Sequence, residues 1–272
     1  MGGRGPSSGR TPPPAPPPAP PIVPPTPKPK PKPKPKPAPP KPLRLKDMSD
    51  AQLASFVDKS MRIHLPAGFH DDITQRMILA AKWNDKPEVL PVSQVEAAAK
   101  KIGAIALYRT VNYNTALQSG ADKIADDFRT GDTFSTGGWS GQAYGGGAYF
   151  STSLRGSKGY GYRNRGNPPN TIGAVLNSKA RVISMSDLQG SMGKNWIKGH
   201  PAAAREMGFS TGNFGRIRAS HGPGSYTALA MAMGYNVVSN KVSTRETYYT
   251  VLDRSALTTS AKNYFPQRRG MK

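Results

Sequence analysis

Three stretches after Asp47 carry apolar residues at helical spacing. Leu53, Phe56, Val57 and Ser60 form the inner stripe of a first helix that Ser49 can cap. Ile73, Met77, Ala80 and Ala81 do the same for a second, from about Asp71 to Trp83, which Asn84-Asp85-Lys86-Pro87 breaks. Ser93 followed three residues later by Glu96 has the form of a capping box and predicts a third helix as far as Lys101. Residues 47–101 therefore read as a helical lobe. At Ile102 the period changes. Ile105 to Val111 predicts a strand, Ala116 to Phe128 a helix, and two Gly-rich hairpin segments follow. Residues 172–183 read as strands split by the turn Asn177-Ser178-Lys179, and 190–224 as glycine-rich loop. Tyr226 to Met233 is an Ala/Met helix stopped by Gly234. Asn236 to Val238 and Thr247 to Leu252 are strands rich in β-branched and aromatic residues. The class is α+β, with several short, mostly antiparallel strands over 102–260 and a basic tail at 261–272.

The first 46 residues are a different material. Twenty of the 28 prolines lie between Pro6 and Pro42, and no acidic residue precedes Asp47. Such a segment buries too little apolar surface to offset its ordering entropy, so disorder or polyproline II is expected. Extended, residues 12–42 would span about 95 Å at roughly 3.1 Å per residue. The tail holds ten of the +22 formal charges, leaving +12 for the rest. Both parts therefore favour polyanionic partners such as nucleic acid or a dinucleotide.

The chain has no cysteine, which excludes disulfides, thiolate catalysis and Cys-based metal sites. His64, His70, His200 and His221 are scattered and form no metal set, and His221 reads as a loop residue. No run of 18 apolar residues predicts a transmembrane helix, and MGGRGPSSGR lacks the apolar core of a signal peptide. A virion or host-cytoplasmic protein without membrane contact is the expectation.

Candidate chemistry gathers at three places. Tyr144 to Ser153, YGGGAYFSTS, runs a glycine triplet into an aromatic and hydroxyl strand. Glycines permit close backbone approach, and strand alternation places Ser151 and Ser153 on one face, Phe150 and Thr152 on the other. Arg109 shares a face with Ile105 and Leu107, at what looks like the exit of a strand into a cleft. A guanidinium there can grip a pyrophosphate in bidentate fashion. Glu246 and Tyr248 share a face at the start of the 247–252 strand.

Taken together, Arg109, the Tyr149-Phe150-Ser151-Thr152-Ser153 strand and Glu246 resemble the Arg-Ser-Glu signature of mono-ADP-ribosyltransferases. The Ser-Thr-Ser strand is similar to that of clostridial-type ADP-ribosylating toxins. With Ser157-Lys158-Gly159-Tyr160 it is also similar to a strand and helix of poly-ADP-ribose polymerases. More narrowly, Gln75 to Leu90, Leu107-Tyr108-Arg109 and Val251 to Leu257 resemble phage-encoded members of this superfamily, including those linked to minor head proteins.

The resemblance covers roughly residues 71–257. It implies a split antiparallel sheet core and an enzyme that transfers ADP-ribose from NAD, without a metal, to a host or phage protein or to nucleic acid. It further implies that Arg109 contacts the NAD phosphates and that Gly147 permits close approach. Tyr149 and Phe150 would lie near the nicotinamide, and Ser153, Tyr160 and Tyr248 would line the cofactor cleft. Ser151 would orient Glu246, which would grip the nicotinamide ribose and stabilise an oxocarbenium-like transition state. One departure stands out. Tyr248 occupies the position where arginine-modifying members carry their catalytic Glu, and a phenol with a pKa near 10 supplies no anion at neutral pH. Either Glu246 takes over that role, or the fold is a catalytically degenerate virion or DNA-packaging component whose basic tail binds nucleic acid.

Overall fold

A computed structural model of the chain describes residues 44–67, 69, 71–83, 85–101, 106–112, 120–132, 134, 146–159, 170–209 and 225–262. Two units divide at Pro40 and Lys41, and the first lies wholly outside the described residues. The second is an α+β assembly in which one eight-stranded mixed sheet carries, among the described residues, nine α-helices.

In chain order the helices are α1 (Asp50–Met61), α2 (Ile73–Ala80), α3 (Val92–Lys101), α4 (Ala121–Thr130), α5 (Leu154–Gly159), α6 (Met185–Gln189), α7 (Ser191–Gly199), α8 (Pro201–Glu206) and α9 (Tyr226–Ala232). The strands are β1 (Glu88–Leu90), β2 (Leu107–Val111), β3 (Ala148–Ser151), β4 (Asn170–Leu176), β5 (Val182–Ser184), β6 (Val237–Lys241), β7 (Thr247–Val251) and β8 (Leu257–Ser260). Across the sheet they run β1-β8-β4-β2-β3-β7-β6-β5. The outermost pairs, β1/β8 and β5/β6, are parallel and the inner pairings antiparallel. Where a split sheet was expected, the described strands form one continuous ladder.

Local signals explain several element ends. Ser49 and Gln52 close a reciprocal capping box at α1. Asp72 caps α2 through the backbone N–H groups of Thr74 and Gln75. Gly234 follows α9 at φ +88°, the left-handed stop that glycine adopts without penalty.

Other expectations change. Residues 47–101 are no separate lobe, because β1 lies in the main sheet beside β8 and α2 packs on α9. The core reaches before Asp47, since Leu45 in a 3-10 turn is buried in it. Ser93 sits inside α3, whose first turn closes on the Pro91 carbonyl. The expected glycine-rich loop 190–224 is helical through α7 and α8, and its part 210–224 falls outside the described residues. No helix among the described residues is long and apolar enough to cross a membrane.

Candidate functional site

Strand pairing decides which side chains can meet. Tyr108 stands opposite Ser151, and Ser151 opposite Tyr248. Directly paired residues share a sheet face, and alternation then adds Tyr149 and Thr110 to the same side. On this face lies α5, bound to the sheet by its Ser157 hydroxyl, 2.7 Å from Thr110 Oγ1, which is itself 3.2 Å from Thr171 Oγ1.

The centre of this face is a hydrogen-bonded carboxylate. Ser151, buried at 2% exposure, donates its hydroxyl to Glu246 Oε1 at 2.6 Å. The same Ser151 oxygen accepts the backbone N–H of Ser153 at 2.9 Å, which fixes its lone pairs and turns its proton toward the acid. Ser153 in turn accepts the N–H of Gly156 at 3.1 Å and so caps α5.

Glu246 is held from its backbone as well. Its carbonyl accepts N–H groups of Val242 and Ser243 in the β6–β7 turn, at 3.1 and 3.2 Å. One residue on, Thr247 and Thr152 exchange two bonds, with Thr152 N donating to Thr247 O at 3.1 Å and Thr247 N to Thr152 Oγ1 at 3.0 Å. The short Ser151 hydroxyl bond to the Glu246 carboxylate is of the strong class. It holds a half-buried acid in one orientation, as an electrostatic stabiliser of developing positive charge requires.

Arg109 and Phe150 face the other way. Arg109 lies between buried Leu107 and Val111 on the side covered by α4, with its guanidinium carbon 5.6 Å from the Phe128 ring centre. Phe150, at 1% exposure, packs on the same Phe128 ring at 5.8 Å. Arg109 Nη1 donates to the Tyr149 carbonyl at 3.4 Å, and Nε is buried without a hydrogen-bond partner among the described residues. Burial pushes the guanidinium pKa down to about 10, still cationic at neutral pH. Arg109 is therefore not a strand-exit residue on the Ser151 face. It is a mid-strand residue bracing the back of β3.

The remaining expected residues divide in the same way. Tyr149, Ser151, Tyr248 and Glu246 share the α5 face. Gly147, at φ +144°, makes room for Thr250 and Leu252, into which a Cβ would collide. Its glycine serves strand packing in the first place. Ser153 is a helix cap. Tyr160 and His221 lie outside the described residues, as do Tyr144, Gly145 and most of the two expected hairpin segments.

Two residues at the site were not expected. Gly156 lies directly under the Glu246 carboxylate, and any Cβ there would overlap it. Asp72 Oδ1, besides capping α2, accepts the N–H of Gly146 at 3.1 Å and so pins the start of β3 to the helix. A Ser-x-x-Gly run after a hydroxyl strand was the available signal for the first. The second had none, because Asp72 and Gly146 are far apart in the chain.

No group of three or more metal-ligating residues gathers among the described residues. Comparison with family models, curated proteins and solved structures produces no match.

Proposed function

We propose that the chain is an NAD-dependent mono-ADP-ribosyltransferase of the Arg-Ser-Glu type, with Glu246 as its catalytic acid and Ser151 as the group that orients it. The observation that carries this reading is the 2.6 Å bond from Ser151 Oγ to Glu246 Oε1, between adjacent central strands. In the reaction the bond between ribose C1′ and the nicotinamide nitrogen breaks, and its electron pair leaves with nicotinamide. With Oε1 engaged by Ser151, the other carboxylate oxygen takes the ribose hydroxyl and the negative charge faces the oxocarbenium-like centre. That interaction is stronger in the transition state than in the ground state and so lowers the barrier. The acceptor nucleophile then adds to C1′ and gives up its proton.

In this reading Glu246 serves although Tyr248 follows it on the same face, and Tyr248 and Tyr149 wall the cleft. Arg109 acts from behind through the Tyr149 carbonyl rather than on the phosphates. Phe150 is core. The acceptor is a protein or a nucleic acid, the latter favoured by the +22 charge. Incubation with NAD labelled in the adenylate portion tests the proposal. Release of nicotinamide and label transfer are expected from the wild type and not from Glu246→Gln. A wild type that neither releases nicotinamide nor labels phage and host extracts refutes it. The tail charge favours a second reading, a degenerate fold that binds nucleic acid. It predicts salt-sensitive binding that collapses when residues 1–46 are deleted.

A further inference from the structure

We propose that Gly156 is a positioning residue for Glu246, the floor against which the carboxylate is held for Ser151. A Cβ at position 156 would fall inside the Glu246 carboxylate and stand 2.9 Å from Ser151 Oγ. Both members of the hydrogen-bonded pair therefore depend on an absent methyl group. Backbone conformation gives no reason for glycine here, since Gly156 is not among the positive-φ glycines and lies within helical α5. In an ordinary helix position Gly→Ala is stabilising. At Gly156 that gain is opposed, because the space is taken by the Glu246 carboxylate, which must swing off Ser151 to clear it.

The carboxylate can clear a methyl group only by rotating its own side chain, because the backbones on both sides are held. α5 is tied to the sheet by Ser157 to Thr110 and, at its N-terminus, by the Ser153 N–H on Ser151 Oγ, so the helix cannot lift without breaking both. Glu246 is fixed from behind by the two N–H groups on its carbonyl and by the Thr152–Thr247 exchange. A methyl group at 156 must therefore turn the carboxylate out of its bond with Ser151. The inference rests on packing for its effect on stability and on the transferase reading for its effect on rate.

The experiment is a double-mutant cycle of Gly156→Ala and Glu246→Ala in the full chain, read by thermal unfolding and by nicotinamide release from NAD. Gly156→Ala alone should lower Tm by about 5 °C, and adding Glu246→Ala should restore at least half of that loss. In kinetics, Gly156→Ala should cut kcat about 100-fold with KM held within about threefold, and add nothing to the loss already caused by Glu246→Ala. Equal Tm losses in both backgrounds, or no loss in either, overturn the proposal. If Gly156→Ala does not fold, a folded double variant bears it out and an unfolded one overturns it. A wild type that releases no nicotinamide defeats the transferase reading alone, since the Tm cycle still decides the role of Gly156.

Discussion

The two faces of the central strands β2, β3 and β7 solve the burial of charge in opposite ways. On the α5 face one carboxylate is reached by a serine hydroxyl at 2.6 Å, and the neighbouring hydroxyls and N–H groups form a connected set. On the α4 face two guanidiniums flank one aromatic ring, with Arg109 5.6 Å and Arg254 6.0 Å from the centre of Phe128. Arg254 is fully buried and donates to the carbonyls of Asp127, Phe128 and Gly131 at 3.2, 2.8 and 2.8 Å, so it caps the C-terminal end of α4. Burial lowers its pKa to about 10 as well. One face thus keeps a charge poised and partly accessible. The other spends its charges on holding a helix and a strand in place.

That contrast is open to attack by substitution. Glu246→Gln keeps the shape of the acceptor and removes the anion, so nicotinamide release should fall about 1000-fold with Tm changed by only a few degrees. An equal loss of rate and of fold would place Glu246 in the structural class instead. Arg254→Ala takes the side-chain donor from the Phe128 and Gly131 carbonyls at the end of α4 and opens a large cavity. It should destabilise the protein by about 4 kcal/mol in chemical denaturation.

Arg109→Met removes a buried cation that has no carboxylate partner within salt-bridge distance among the described residues, while keeping length and contact with Phe128. Stability should stay within about 1.5 kcal/mol of wild type. In steady-state kinetics kcat should fall about tenfold with KM for NAD nearly unchanged, whereas a phosphate-gripping Arg109 would raise KM instead.

The smallest effect is expected at Asp253, whose pKa is raised chiefly by burial and whose Oδ1 accepts Ser255 N at 2.9 Å. The folded state keeps its proton to higher pH than the unfolded chain does. Stability therefore falls as pH rises between the unfolded and the folded pKa, and the cost is fully present above the latter. Asn at this position can accept the same bond without the charge. Asp253→Asn should match or exceed wild type at neutral pH by up to about 1 kcal/mol, with the advantage fading in acid.

What could be read from the chain was local or periodic. The Ser49 cap, the Gly234 stop and the alternation that sets Glu246 beside Tyr248 all depend on residues within a turn of one another. α8 escaped because its support is distant. The first turn of α8 is capped by the Asp50 carboxylate of α1, at 3.0 Å from Ala202 N and 2.8 Å from Ala203 N. His200, between α7 and α8, is stacked on Trp196 at 4.4 Å.

β1 escaped for a related reason. Three residues between two prolines become a strand only when β8 supplies the partner. Arg109 shows the limit of parity. Alternation correctly groups it with Leu107 and carries the strand to Val111, but the pattern does not say that α4 lies on that side. For Ser151 and Glu246, parity names the face of each. Only the adjacency of β3 and β7 brings them together.

The strand order carries a consequence for biosynthesis. β8 is inserted between β1 and β4, with Thr258 Oγ1 bound to Glu88 Oε2 at 2.6 Å and Ala261 N to the Leu90 carbonyl at 2.8 Å. Among the described residues, β1 has no other strand to pair with. Residues 88–90 must therefore wait, unpaired, while some 170 further residues leave the ribosome. Until Leu257 to Ser260 arrive, the flank of β4 is an open edge of the kind that recruits a second nascent chain. A ribosome stalled shortly before that point would hold a protein already equipped with Ser151 and Glu246, yet exposed to assembly with its own copies.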